Sequence, residues 1–190
     1  MPSSAIEGVQ YIIEFIRRNK PDLRTVLDIG IGFGKFGYLL RDYFDAKEKH
    51  YFQPSEWKLK ITGVDVFQGY LSDIQYKIYN KIIIGDIITV LPKLGHFDLA
   101  ILSDVIEHFS KKNGQILLDT IFKHVEDVVI ATPLGFLPKT SRSIQINPAE
   151  EHKSGWTLGD FRKYSIIDKA IVSRIRKPQK VLVVYIKKHV

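Results

Sequence analysis

The run Asp104-Val105-Ile106-Glu107-His108 places two carboxylates and an imidazole on one short piece of chain. Histidine titrates near neutral pH, so His108 is a candidate base for taking a proton from a nucleophile, with Glu107 orienting the ring or the substrate. The competing reading is that both residues open a helix and satisfy backbone and loop partners. A second stretch, Thr25 to Leu40, reads TVLDIGIGFGKFGYLL. Val26, Leu27 and Ile29 form a buried-strand run that breaks at Gly30, Gly32, Gly34 and Gly37, then resumes at helical spacing. A strand, a glycine turn and a helix make a cradle where backbone N–H groups approach a ligand closely. The spacing Gly32-x-Gly34-x-x-Gly37 satisfies the dinucleotide fingerprint literally. Asp28 argues against a dinucleotide, because a carboxylate beside the turn opposes a doubly anionic pyrophosphate and favours a cationic ligand.

These residues need elements that bring them together. Ser4-x-x-Glu7 reads as a capping box ahead of a helix carrying Ile6, Val9, Ile13 and Ile16, which Asn19 and Pro21 stop. After the glycine turn, Phe36, Leu39, Leu40 and Tyr43 give the next helix its apolar stripe. Phe44 to Lys58 is polar with Tyr51, Phe52 and Trp57 scattered through it. It enters a strand from a helix, so it belongs at the sheet edge opposite the ligand, as a satellite packing cluster. LKITGVDVF is a second strand ending in Asp65, whose carboxylate can accept from both hydroxyls of a ribose; Val66 and Phe67 would flank the base. KIIIGDIITVLP gives a third strand, a turn at Gly85-Asp86 and a short helix. Phe97 to Ser103 is a fourth strand, Asn113-Gly114 a break, Ile116 to Val125 helical, and VEDVVIATP a fifth strand ended by Pro133. Thr132 to Trp156 is a long irregular stretch leaving the fifth strand, expected to hang over the site as a lid or substrate wall. Its Arg142, His152 and Trp156 are the candidate substrate contacts. Thr157-x-x-Asp160 reads as a second capping box, and two β-rich runs around Arg176-Lys177-Pro178-Gln179 as an antiparallel hairpin.

The acid followed by Gly-x-Gly-x-Gly (Asp28, Gly30, Gly32, Gly34) resembles motif I of the class I S-adenosylmethionine-dependent methyltransferases. Asp104-x-x-Glu107-His108 resembles the acid-x-x-Glu-His run of the ubiquinone-type members. The resemblance covers roughly Val26 to Tyr185. It implies an α/β, Rossmann-like sheet of seven mostly parallel strands, helices on both faces, and a C-terminal antiparallel hairpin with strand seven between five and six. One methyltransferase domain would span 1–190, with a lid near 132–156. It also implies S-adenosylmethionine held by Asp28, Gly30, Gly32, Phe33, Gly34, Asp65, Val66, Phe67, Asp86, Ile87, Ser103 and Asp104. In this reading Asp28 meets the cationic end of the cofactor, Asp65 the ribose, and Asp86 with the Ile87 backbone the adenine. The reaction implied is transfer of a methyl group to an oxygen or nitrogen of a small polar metabolite. A nucleic-acid acceptor and a non-catalytic nucleotide-cofactor-binding module are the alternatives. Some relatives use such a run plus a further histidine to hold a divalent ion. Asp104, Glu107, His108 and His152 are the corresponding set here, and the minor reading, since many relatives carry Glu-His without metal.

The rest of the composition narrows the field. The chain has 190 residues, 45% hydrophobic and 26% charged, and lacks cysteine, which excludes disulfides, thiolate metal sites and a cysteine nucleophile. No apolar run approaches the roughly 18–20 residues of a membrane span, and the first residues lack the pattern of a signal peptide, so no membrane association and a cytoplasmic location are expected. The net charge of +7 concentrates near the end: Arg162, Lys163, Lys169, Arg174, Arg176, Lys177, Lys180, Lys187 and Lys188 face Asp168 alone. Such a cluster suits a nucleic-acid footprint, but without interleaved aromatic residues it reads first as the solvated faces of a hairpin.

Overall fold

A computed structural model describes residues 6–47, 49–50, 52–139, 142–175 and 178–189, residues 142 and 143 by main chain alone. The hydrophobic runs form the parallel strands β1 (Thr25–Ile29), β2 (Lys60–Asp65), β3 (Lys81–Ile84), β4 (Phe97–Ser103) and β5 (Val125–Pro133). The terminal hairpin supplies β6 (Ser165–Ser173) and β7 (Lys180–Lys187), with β7 antiparallel to both β5 and β6. The resulting seven-stranded order is β3-β2-β1-β4-β5-β7-β6. Strand seven therefore lies between five and six, as the family resemblance implies.

Period-two alternation splits each strand between two cores. Leu27 and Ile29 face one side, packing with Ile106, Leu117, Leu118 and Ile121, the last three from α5 (Lys111–Ile121). Val26 faces the other, with Ile12 and Ile16 of α1 (Ile6–Asn19) and Phe36 and Leu40 of α2 (Lys35–Leu40). The shorter α3 (Asp73–Ile78), α4 (Ile87–Val90) and α6 (Arg142–Ile146) fill the connections. No helix among the described residues is long and apolar enough to cross a membrane.

Several local expectations resolve differently. Ser4 lies outside the described residues, and Glu7 instead accepts a hydrogen bond from the N–H of Ile175 at 2.7 Å. Asn113-Gly114 is no break: α5 starts at Lys111 on the Ser110 N-cap and runs through both. Gly114 is there because the Trp156 ring lies against it, 2.5 Å from where a Cβ would stand. Past α2 the chain widens into a π-helical turn, Arg41–Lys47. Arg41 is buried there, paired with Asp45 at 2.7 Å, donating to the Leu59 and Ile78 carbonyls and to Asn80, with Trp57 on its guanidinium face at 4.6 Å. Trp57 thus packs at the sheet edge remote from the cavity described below, whereas Phe52 is exposed rather than packed into such a cluster, and Tyr51 lies outside the described residues. Removing one member of a buried, multiply bonded ion pair leaves an uncompensated charge. Arg41→Ala is expected to lower the unfolding free energy by about 3–5 kcal/mol; urea denaturation followed by circular dichroism checks it.

Candidate functional site

Strand register assembles the site. Ile29 pairs with Val64 on one side and Leu102 on the other, and Asp65 pairs with Ile84. Hence Gly30, Asp65, Gly85-Asp86 and Ser103-Asp104, each at or just past a strand end, line up along one sheet edge. The strand order reverses between β1 and β4, the switch point where open α/β sheets bind ligands. A cavity of about 770 Å³ occupies this edge, within the range of small-molecule sites.

Gly30 needs its left-handed φ of 77°, and a Cβ on it would meet Val105 at 2.4 Å. Asp65, 6% exposed, accepts from the Gly32 N–H and the Phe67 N–H, both at 2.9 Å. Burial pushes the Asp65 carboxyl upward in pKa, while those N–H donors pull it back toward ionisation. Asp86 caps α4, accepting from the Ile88 N–H at 2.8 Å. Gly30, Gly32, Phe33, Asp65, Val66, Asp86, Ile87, Ser103 and Asp104 all stand in the cavity wall.

Asp28, Gly34 and Phe67 do not. Asp28 shares the side of β1 that carries Val26, so its carboxylate points under the turn toward α2. Tyr79 donates to it at 2.5 Å, and the same hydroxyl accepts from the Gly37 N–H at 3.2 Å. Gly37 is glycine because a Cβ would overlap the Tyr79 ring, 2.4 Å away. Asp28 therefore braces the glycine turn through Tyr79, behind the cavity wall. Gly34 serves as the left-handed N-cap of α2 (φ 83°), and Phe67 packs edge-on against Tyr70.

The Asp104–His108 run opens with a strained residue, Asp104, at φ 53°. Glu107 and His108 sit in a 3₁₀ turn, Ile106–His108. The Glu107 carboxyl is buried; its Oε2 accepts from the Thr132 hydroxyl at 3.1 Å, and Oε1 has no partner among the described residues. Burial, then repulsion from Asp104, pushes its pKa well above the usual carboxylate range. His108 holds Nδ1 3.0 Å from the Glu151 carbonyl and Nε2 3.1 Å from the Asp104 carbonyl. A neutral ring can donate to only one of these. His152 packs edge-on to His108 at 5.0 Å with Nδ1 2.6 Å from the Leu137 carbonyl. Burial lowers the pKa of both imidazoles. One donor atom each from Glu107, His108 and His152 lies within 4.8 Å of the others.

The stretch after β5 folds over the cavity and is pinned at both ends. Trp156, expected as a substrate contact, is a wholly buried anchor stacked on Phe161, its Nε1–H donating to Ser154 Oγ. The side chain of Arg142 lies outside the described residues. The Glu107 carbonyl accepts from the N–H groups of Lys153 and Ser154. Tyr70 donates to Glu150 at 3.2 Å and accepts from Asn147 at 3.3 Å, while Lys139 ion-pairs with Glu150. Sequence reading did not single out Tyr70, Lys35, Lys139 or Lys153 in the wall. Only their placement after strand ends or in the lid signals them.

No protein-family model and no curated protein matches the chain. Solved structures do. The N-terminal domain of EvdMO1 with SAH bound is similar with TM-score 0.65 and 12% identity, over 98% of this chain and 83% of that one. Magnesium protoporphyrin IX methyltransferase (ChlM) from Synechocystis with bound SAH gives 0.64 and 16%, over 96% and 82%. Burkholderia thailandensis 1,6-didemethyltoxoflavin-N1-methyltransferase, with 1,6-didemethyltoxoflavin and S-adenosylhomocysteine, gives 0.66 and 15%, over 96% and 79%.

Burial, only partly offset by the Tyr79 bond, raises the Asp28 pKa to about 7. The unfolded state ionises near pH 4, so folding binds a proton between those values and stability falls as pH rises through that window. Asp28→Asn is expected to gain on the wild type by up to about 4 kcal/mol between about pH 4 and pH 8; a stability difference independent of pH contradicts it. At the strained position, Asp104→Gly is expected to be about 1 kcal/mol more stable than Asp104→Ala, because only the former relaxes the left-handed backbone. Paired thermal unfolding of the two variants measures it.

Proposed function

We propose that this chain, which has the fold of the class I S-adenosylmethionine-dependent methyltransferases, binds S-adenosylmethionine along the Gly30–Asp65–Asp86 edge and transfers its methyl group to an oxygen or nitrogen of a small polar acceptor. The observation that carries this is Asp65: a buried carboxylate at the end of β2, clamped to the glycine turn, in the wall of a cavity at the switch point. When bound, the cofactor supplies an electrophilic methyl on a cationic sulfur. Asp65 offers its remaining lone pairs to the ribose hydroxyls, and Val66, Asp86 and Ile87 line the place for the adenine. Ser103 and Asp104, at the end of β4, face the space beside the glycine turn. The lid excludes water and orients the acceptor, so positioning supplies much of the rate. Proton removal falls to the His108–His152 pair. His108 is fixed by two carbonyls, and His152 keeps Nε2 without a hydrogen bond among the described residues.

Isothermal titration with S-adenosylmethionine, S-adenosylhomocysteine and a nicotinamide dinucleotide tests this reading. Both sulfur nucleosides are expected to bind and the dinucleotide not. Asp65→Ala should weaken binding at least about tenfold, the loss of a hydrogen bond to a charged group. Tight dinucleotide binding, or no binding of either nucleoside, rejects the proposal.

The partnerless Oε1 of Glu107 favours a second reading of the same cluster. Glu107, His108 and His152 form a mixed carboxylate–imidazole set that would hold a divalent cation, which would supply Lewis acidity near the acceptor. On this reading a chelator abolishes methyl transfer and added Mg²⁺, Mn²⁺ or Zn²⁺ restores it. Full activity in excess chelator refutes it.

A further inference from the structure

Charge around the cavity is unevenly compensated. Asp65 and Asp86 are engaged with backbone N–H groups on the side assigned to the nucleoside. Glu150 is neutralised by Lys139. Lys35, at the start of α2, lies in the field of Asp104 and Glu7. Two cations in the wall remain: Lys153 in the lid and Arg174 just past β6. Neither belongs to an ion pair among the described residues.

Each lies at or beside a hydrogen-bonded backbone N–H. The N–H of Lys153 donates to the Glu107 carbonyl at 2.7 Å, and its neighbour is His152. Arg174 reaches the cavity through topology. β7 runs antiparallel to β5 and β6 antiparallel to β7, so the C-terminal end of β6 arrives at the same edge as those of β1 to β5. There the next residue's N–H is fixed to Glu7, and Gln179 Nε2 donates to the Leu134 carbonyl at 2.8 Å, tying the hairpin turn to the root of the lid. An arginine fork and a lysine point charge on fixed supports suit a carboxylate or phosphate.

We infer that the methyl acceptor is a small molecule carrying a carboxylate or phosphate, which Arg174 and Lys153 hold while its nucleophile faces the Glu107–His108–His152 end. The inference rests on the methyltransferase reading and narrows it to an anionic substrate class. Small size is argued from place: half-buried Arg174 and the more exposed Lys153 both line the cavity under the lid. A long polyanion would instead depend on the exposed lysines of the hairpin, such as Lys169 and Lys180.

The test uses the full chain saturated with S-adenosylhomocysteine, with pyrophosphate and malonate as probes. Titration of the nucleoside alone comes first; if it does not bind, the methyltransferase reading fails, separately from this inference. With it bound, at least one probe should bind, and Arg174→Gln or Lys153→Gln should each weaken that binding about tenfold. Arg174→Lys, which keeps the charge but loses the fork, should weaken it less than Arg174→Gln does, and Lys180→Gln should leave it unchanged. Nucleoside affinity should be the same in all four variants. Probe binding equal in wild type and in both glutamine variants overturns the inference. So does a tenfold loss of nucleoside affinity in Arg174→Gln with the fold intact by circular dichroism, which would assign Arg174 to the cofactor's own carboxylate. A single-stranded oligonucleotide that outcompetes both probes and loses affinity equally in Lys180→Gln also overturns it, in favour of a nucleic-acid acceptor.

Discussion

The hydrogen bond from the Gly32 N–H to the Asp65 carboxylate, 2.9 Å long, joins the turn after β1 to the end of β2. It fixes the mutual position of the two features on which the proposed nucleotide site rests, the backbone of a glycine turn and an acid in the cavity wall. Its cost is a buried carboxylate, which two backbone donors offset. The cavity depends on this arrangement, because a shift of β2 by one residue would turn Asp65 away from the turn and into a core.

Beneath that bond lies a second constraint. The acid of the glycine motif, Asp28, is sealed under the turn and joined through Tyr79 to the Gly37 N–H. From its charge alone, Asp28 is expected against a cationic ligand. The strand's own alternation decides otherwise, since residues 26 and 28 share a side and Val26 belongs to the core under α1 and α2. Asp28 shapes the cradle from behind, and Asp65 is the acid that faces the cavity.

Much of the fold was legible because the information was local and periodic. The apolar runs gave the strands, the glycines gave the turn, and the hairpin gave the antiparallel end of the sheet. The site edge was legible for the same reason, as its residues follow strand ends. Long-range packing was not. Trp156 sits in an aperiodic stretch, and nothing in its neighbourhood says that it fills the groove above Gly114, so it read as a substrate contact. Asn113-Gly114 read as a helix break because the reason for that glycine lies more than forty residues away in sequence. Tyr70, Asn147 and Glu150 meet only once the lid is folded over β2, and Arg174 enters the wall only through the strand order.

Asp65, braced by the glycine turn, is the residue proposed to receive the nucleoside. A crystal structure of the chain grown with S-adenosylhomocysteine measures this most directly. Ribose hydroxyls are expected within hydrogen-bond distance of the Asp65 carboxylate, about 2.7 Å, with the adenine between Val66 and Asp86 and the Asp28–Tyr79 contact unbroken. A nucleoside bound elsewhere, or one whose sulfur end displaces Tyr79 to reach Asp28, would contradict it.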